Sequence, residues 1–109
     1  MMEVYDFSVQ RGATFRKDVR LKKGGEVMDL TGWSGKCQVR PEPESEVLTC
    51  EMGLVIVPEE GLVELRIEAE VTAAIDMGVY AWDLRLTDAE GVARYYLGGK
   101  FKVIGSVTK

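Results

Sequence analysis

Apolar and polar residues alternate along most of this chain. Tyr5, Phe7 and Val9 share one parity, with Asp6, Ser8 and Gln10 on the other. Val63, Leu65 and Ile67 alternate with Glu64, Arg66 and Glu68, and Tyr80, Trp82, Leu84 and Leu86 alternate with Ala81, Asp83, Arg85 and Thr87. A period of two with one apolar face belongs to a strand buried on one side. Turn signals punctuate the pattern at Gly12, Gly24-Gly25, Gly32, Pro41 to Pro43, Gly53, Gly61, Gly78, Gly91 and Gly98-Gly99. Short strands at such spacing predict an all-β antiparallel sandwich of seven or eight strands. The runs fall at roughly 3–9, 14–22, 27–30, 34–40, 47–57 with a break near Gly53, 62–68, 79–87 and 92–104. Phe7, Phe15, Val39, Leu65, Ile67, Tyr80, Trp82, Leu84 and Phe101 are the predicted core.

Three places break the pattern. Lys17 falls on the inward parity of Phe15, Val19 and Leu21, which predicts a bulge or a strand end there. Gly98-Gly99 inside the last run predicts a bulge bending an edge strand. Val71 to Gly78 predicts one short helical turn between the two sheets, capped by Thr72 and ended by Gly78. Pro41-Glu42-Pro43-Glu44-Ser45-Glu46 is a loop, because two prolines exclude it from a central strand. Asp88-Ala89-Glu90-Gly91 reads as a hairpin turn joining the last two strands. Asp29 or Thr31 is placed to bond the local backbone in a turn.

The 109 residues suit one domain, 1–109, with a core of its own. The net charge of −4 disfavours nucleic acid as a partner. The most basic run, Arg16, Lys17, Arg20, Lys22 and Lys23, is interrupted by Asp18 and carries no interleaved aromatic platform, so it reads as a solvated strand face. No apolar run approaches the roughly 20 residues that span a membrane, so no membrane partner is expected. The N-terminus lacks the basic and apolar regions of a signal peptide, which predicts that the chain stays in the compartment where it is made.

Catalytic chemistry finds little purchase in these residues. The chain has no histidine, so the commonest general base and metal ligand is missing. Cys37 and Cys50 share parity with core positions and read as buried, inert thiols, with a disulfide between them or a reactive thiol as the alternatives. Asp29, Asp76, Asp83 and the Glu42–Glu46 loop supply carboxylates, but in no glycosidase-like or calcium-loop constellation. Neither glycine pair opens a helix or is followed by a phosphate-binding lysine pattern. The expectation is a non-enzyme with no cofactor and no metal. Asp83, outward on its strand, is expected to pair with Arg94 or Lys102.

Asp76-Met77-Gly78-Val79-Tyr80-Ala81-Trp82 resembles the tyrosine corner of immunoglobulin domains, in which the tyrosine hydroxyl bonds upstream backbone. Trp82 stands where those domains carry a cysteine. The resemblance implies a structural corner built on Asp76, Gly78, Tyr80 and Trp82, with the Tyr80 hydroxyl bonded between about Thr72 and Asp76.

A second resemblance runs over nearly the whole chain. Its blocks are Arg11-Gly12-Ala13-Thr14-Phe15, Met28-Asp29-Leu30-Thr31-Gly32-Trp33, Gln38-Val39-Arg40 and Gly61-Leu62-Val63-Glu64-Leu65. Thr72 to Gly78, Tyr80-Ala81-Trp82-Asp83-Leu84, Gly91 and Gly99-Lys100-Phe101-Lys102-Val103 complete it. Together they resemble the immunoglobulin-like N-terminal modules of upper-baseplate and tail-fibre-attached proteins of phages and prophages. The resemblance implies a virion structural module, made in the bacterial cytoplasm, that works through contacts with other phage structural proteins or with its own copies. Such proteins often continue into further domains, whereas this chain ends at Lys109, so both an accessory protein and a small protein docked on a larger tail or capsid component fit. The last run, read as an edge strand, offers Tyr95 or Tyr96 as the aromatic contact, with Lys100 and Lys102 guarding the edge. The alternative is a carbohydrate-binding sandwich that uses the outward tyrosine and Trp33 over a groove.

Overall fold

The computed structural model describes residues 3–108. Met1, Met2 and Lys109, part of the expected single domain, lie outside the described residues. The described strand segments are β1 (Glu3–Val4), β2 (Phe7–Gln10), β3 (Phe15–Arg20), β4 (Lys22–Lys23), β5 (Glu26–Val27), β6 (Ser34–Arg40), β7 (Cys50–Glu51), β8 (Gly53–Val57), β9 (Leu62–Ile67), β10 (Gly78–Thr87) and β11 (Ala93–Ile104). They match the predicted runs except at 27–30, where only Val27 is in a strand and 28–30 forms a connection outside the sheets. The strands form an immunoglobulin-like sandwich. The larger sheet has the order β1-β11-β10-β6-β7, with β2 also on β11; the smaller is β3-β9-β8. β4 and β5 form a separate hairpin across Gly24 and Gly25, whose φ values of 61° and 82° are those of a tight two-residue turn.

The run predicted at 47–57 splits in two. β7 pairs with β6 in the large sheet, and β8 pairs with β9 in the small one. Met52 sits between them, buried, so the chain changes sheets at the predicted break. The pairing is not antiparallel throughout: β1 and β2 run parallel to β11.

The core is an aromatic spine clamped by aliphatic side chains. The Phe7 ring stacks on Trp82 at 4.3 Å, lies 5.2 Å from Phe15, and Phe15 meets Phe101 edge-on at 5.2 Å. These four rings come from both sheets and join them. All the predicted core residues are buried except Tyr80, which is half-buried. Its hydroxyl donates to the Asp76 carbonyl at 2.7 Å, closing the corner that leads into β10.

The helical turn lies earlier than expected. α1 spans Ala69–Ala73 and follows Glu68 without a side-chain cap, while a second, 3-10 turn unsignalled by the sequence spans Pro58–Glu60. Thr72 is inside α1 rather than capping it, and Gly78 opens β10 rather than ending the turn. Thr72 is fully buried because it ties α1 to the crossover from β2 to β3. Its hydroxyl donates to the Ala13 carbonyl at 2.8 Å and accepts the Gly12 N–H at 3.1 Å. Thr72→Val keeps the shape and removes both bonds. It is expected to lower stability by about 1–3 kcal/mol, read as a lower urea midpoint at unchanged slope.

Two further sequence expectations are corrected. Lys17 sits in an unbroken β3–β9 register, with no bulge. Its inward position is tolerated because β3 is the edge strand of the small sheet and Lys17 lines a cleft there, with Nζ 5.5 Å from the centre of the Tyr5 ring. The register shift in β11 falls opposite Leu84 and Arg85, next to Tyr96, and not at Gly98-Gly99.

Candidate functional site

The polar parities of β6 and β10, legible in the sequence strand by strand, come together on the outer face of the large sheet. The register sets Lys36, Arg85 and Tyr95 in one row, Gln38, Asp83 and Gly98 in the next, and Arg40, Ala81 and Lys100 in the third. Cys37, Val39, Trp82 and Leu84 alternate with them and fill the core. The short side chain of Ala81 lies on this face between those of Arg40 and Tyr95, which line the same hollow. Two adjoining hollows of about 420 and 240 Å³ result, sharing Gln38, Arg40, Asp83 and Tyr95.

Hydrogen bonds hold one wall of this trough in place. Arg40 donates to the Ser45 carbonyl at 3.2 Å and to Gln38 Oε1 at 3.0 Å, and Gln38 Nε2 donates to Glu51 Oε2 at 3.4 Å. The acidic proline loop is thereby tied to the trough rim. Asp83 sits at the centre. Burial pushes its carboxyl above the ordinary value, and the positive charges of Arg85 and Arg40 oppose that. No ion pair within 4.0 Å joins Asp83 to a described residue. The expected pairing with Arg94 or Lys102 does not form: Arg94 lies 3.9 Å from Asp88, and Lys102 faces Val79 in the register.

The elevated Asp83 pKa has a definite sign. The unfolded chain ionises first, so it binds fewer protons than the native state as pH rises above 3.8. The native state therefore loses stability across that window. Asp83→Asn is expected to raise the denaturation midpoint at neutral pH and to remove this component of the pH profile, as measured by urea unfolding at pH 3 to 7.

The predicted interface residues divide. Tyr95 is 51% exposed and lines the trough, and Lys100 and Lys102 are exposed on the same strand. Tyr96 turns to the other side at the register shift and packs against Trp33, ring centres 6.1 Å apart. There it helps line a separate cleft of about 360 Å³ with Tyr5 and Lys17.

The reading of the last run as an edge strand is overturned. β11 has β10 on one side, and β1 and β2 cover Leu97, Gly98 and Phe101 to Ile104 on the other. Asp6 Oδ1 accepts the Lys100 N–H at 2.9 Å, so that lysine guards no open edge. The sequence missed this because the parallel partners lie more than ninety positions away. Among the described residues β8, by contrast, pairs with β9 alone.

Cys37 and Cys50 are buried free thiols. Burial, and for Cys37 also the nearby Asp83 charge, pushes both upward, so they stay protonated and poorly nucleophilic at neutral pH. Among the described residues no group of three or more Cys, Asp or Glu is placed to hold a metal ion. No described helix is long and apolar enough to cross a membrane.

No protein-family model matches the chain, and no curated protein does. Solved structures do. The GspB Siglec domain superposes with a TM-score of 0.60 at 17% identity, over 93% of this chain and 54% of that one, so the present chain spans about half of it. CopC from Methylosinus trichosporium OB3b superposes with a TM-score of 0.54 at 14% identity, over 95% of this chain and 88% of that one. At such identities the likeness establishes the fold, an immunoglobulin-like β-sandwich.

Proposed function

We propose that this domain is a non-catalytic interaction module of a phage or prophage particle, located in the virion's tail, baseplate or fibre attachment, and that it grips another structural protein through the trough on its large sheet. The observation that carries the binding role is the trough itself. It presents an exposed aromatic, Tyr95, beside a half-buried carboxylate flanked by Arg40 and Arg85. Tyrosine and arginine at the centre of a patch are the residues on which protein interfaces concentrate their energy. The assignment to a phage particle rests on the sequence blocks around Asp29-Leu30-Thr31-Gly32 and Tyr80-Ala81-Trp82-Asp83-Leu84.

The experiment is capture of tail and baseplate proteins encoded beside this chain, with affinity measured by calorimetry. Tyr95→Ala and Asp83→Lys are each expected to weaken the complex at least about tenfold, as loss of a hot-spot residue does. Unchanged affinity in both variants would move the contact off this face. A second reading, carbohydrate binding, is favoured by one feature: a tyrosine beside a polar trough is also a sugar platform. The fold likeness to a domain named for its Siglec type is compatible with it. Tyr95-dependent retention on a glycan panel, with no phage protein captured, would replace the first reading by the second.

A further inference from the structure

The outer face of the small sheet carries an anomaly that the trough does not explain. Its register places Arg16 directly opposite Arg66, and Asp18 directly opposite Glu64. Like charges directly opposite on neighbouring strands repel, and the same four residues in alternating order would attract. Instead the face shows a positive row followed by a negative row. Arg66 is partly relieved by Glu68, at 2.7 Å, whereas Arg16, Asp18 and Glu64 have no described ion pair within 4.0 Å. The third strand continues both rows: Gly53 lies beside Arg66, and Val55, 57% exposed, lies beside Glu64.

We infer that this face is built to pair with a second copy of itself about a two-fold axis. The axis would lie between the two rows and run across the strands. Rotation about it exchanges the rows and leaves each strand over its own counterpart. The geometry follows from strand spacing, since residues two apart lie about 6.8 Å from each other along a strand. Arg16 of one copy then lies over Asp18 of the second, and Arg66 over Glu64. In the same operation Val55 projects toward the notch at Gly53. Each contact occurs twice, as an isologous interface requires. The charge pattern that is unfavourable within one sheet becomes complementary between two.

The face is independent of the trough, which lies on the opposite side of the sandwich, so both contacts can form together. Exposed ion pairs contribute little singly and are screened by salt. The dimer is therefore weak, favoured by the high local concentration of a repeating particle, and sensitive to ionic strength.

Sedimentation velocity of the purified chain tests this at about 0.01 M and about 1 M salt, where screening lengths are roughly 30 Å and 3 Å. A dimer is expected at low salt, weakening at least about tenfold at high salt. Asp18→Arg should leave a folded monomer at both salts. The swap Arg16→Asp with Asp18→Arg restores opposite charges over each other and should restore the dimer. Tyr95→Ala should leave the dimer intact. A wild-type monomer at low salt would overturn the inference. So would a dimer that survives Asp18→Arg, a swap that fails to restore it, or a dimer lost on Tyr95→Ala, which would place the contact on the trough face instead.

Discussion

Trp82→Ala is expected to lower stability by about 3–5 kcal/mol in chemical denaturation, the usual range for truncating a buried aromatic. Trp82 is 3% exposed and stacks on Phe7, so truncation opens a void where the two sheets meet. It also does a second job. The indole N–H donates to the Tyr5 carbonyl at 2.8 Å, seventy-seven positions away, and so pins the break between β1 and β2. Trp82→Phe separates the two contributions: the stack survives, the bond is lost, and a smaller loss of about 1–3 kcal/mol is expected. Both variants should speed amide exchange in the N-terminal strands, since those strands hang on this residue. A loss below about 1 kcal/mol for Trp82→Ala would mean the ring does not hold the centre of the core.

Gly99→Ala is expected to be the most damaging small substitution, costing about 3 kcal/mol or more, at or above the upper end for overpacking. A Cβ at Gly99 would collide with the Tyr5 carbonyl oxygen and lie 2.7 Å from Asp6 Oδ1. The first is backbone and cannot swing aside. To make room, the Tyr5–Asp6 crossing must lift from β11, which breaks the Asp6 bond to the Lys100 N–H and strains the Trp82 bond to Tyr5. The measurement is the urea midpoint together with exchange at the Lys100 amide. Native-like protection at that amide would show that the N-terminal crossing accommodates the methyl.

The two proposed faces behave differently under mutation because they rest on different chemistry. Asp83 is a half-buried charge held against its preference for water, so removing the charge is expected to stabilise the domain while weakening its complex. Asp18 is exposed and surrounded by solvent, so reversing it should alter association and leave folding intact.

What the sequence by itself determined is the class of fold, most of the strand runs, the Tyr80 corner and most of the core. These depend on a residue and its near neighbours: the parity of Phe7, Trp82 and Leu84 is local, and so is the reach from Tyr80 to Asp76. It also predicted irregularities at Lys17 and Gly98-Gly99, where the register runs unbroken. What only the tertiary structure decided is which strands lie beside one another. The parallel docking of β1 and β2 removed the open edge from β11, and the pairing of β6 with β10 gathered Gln38, Arg40, Asp83 and Tyr95 into one trough. The opposition of Arg16 to Arg66 is of the same kind. Parity says which face a side chain takes, because it is fixed within one strand. Register between strands is set by distant backbone hydrogen bonds and by the packing of the shared core, and no local pattern contains it.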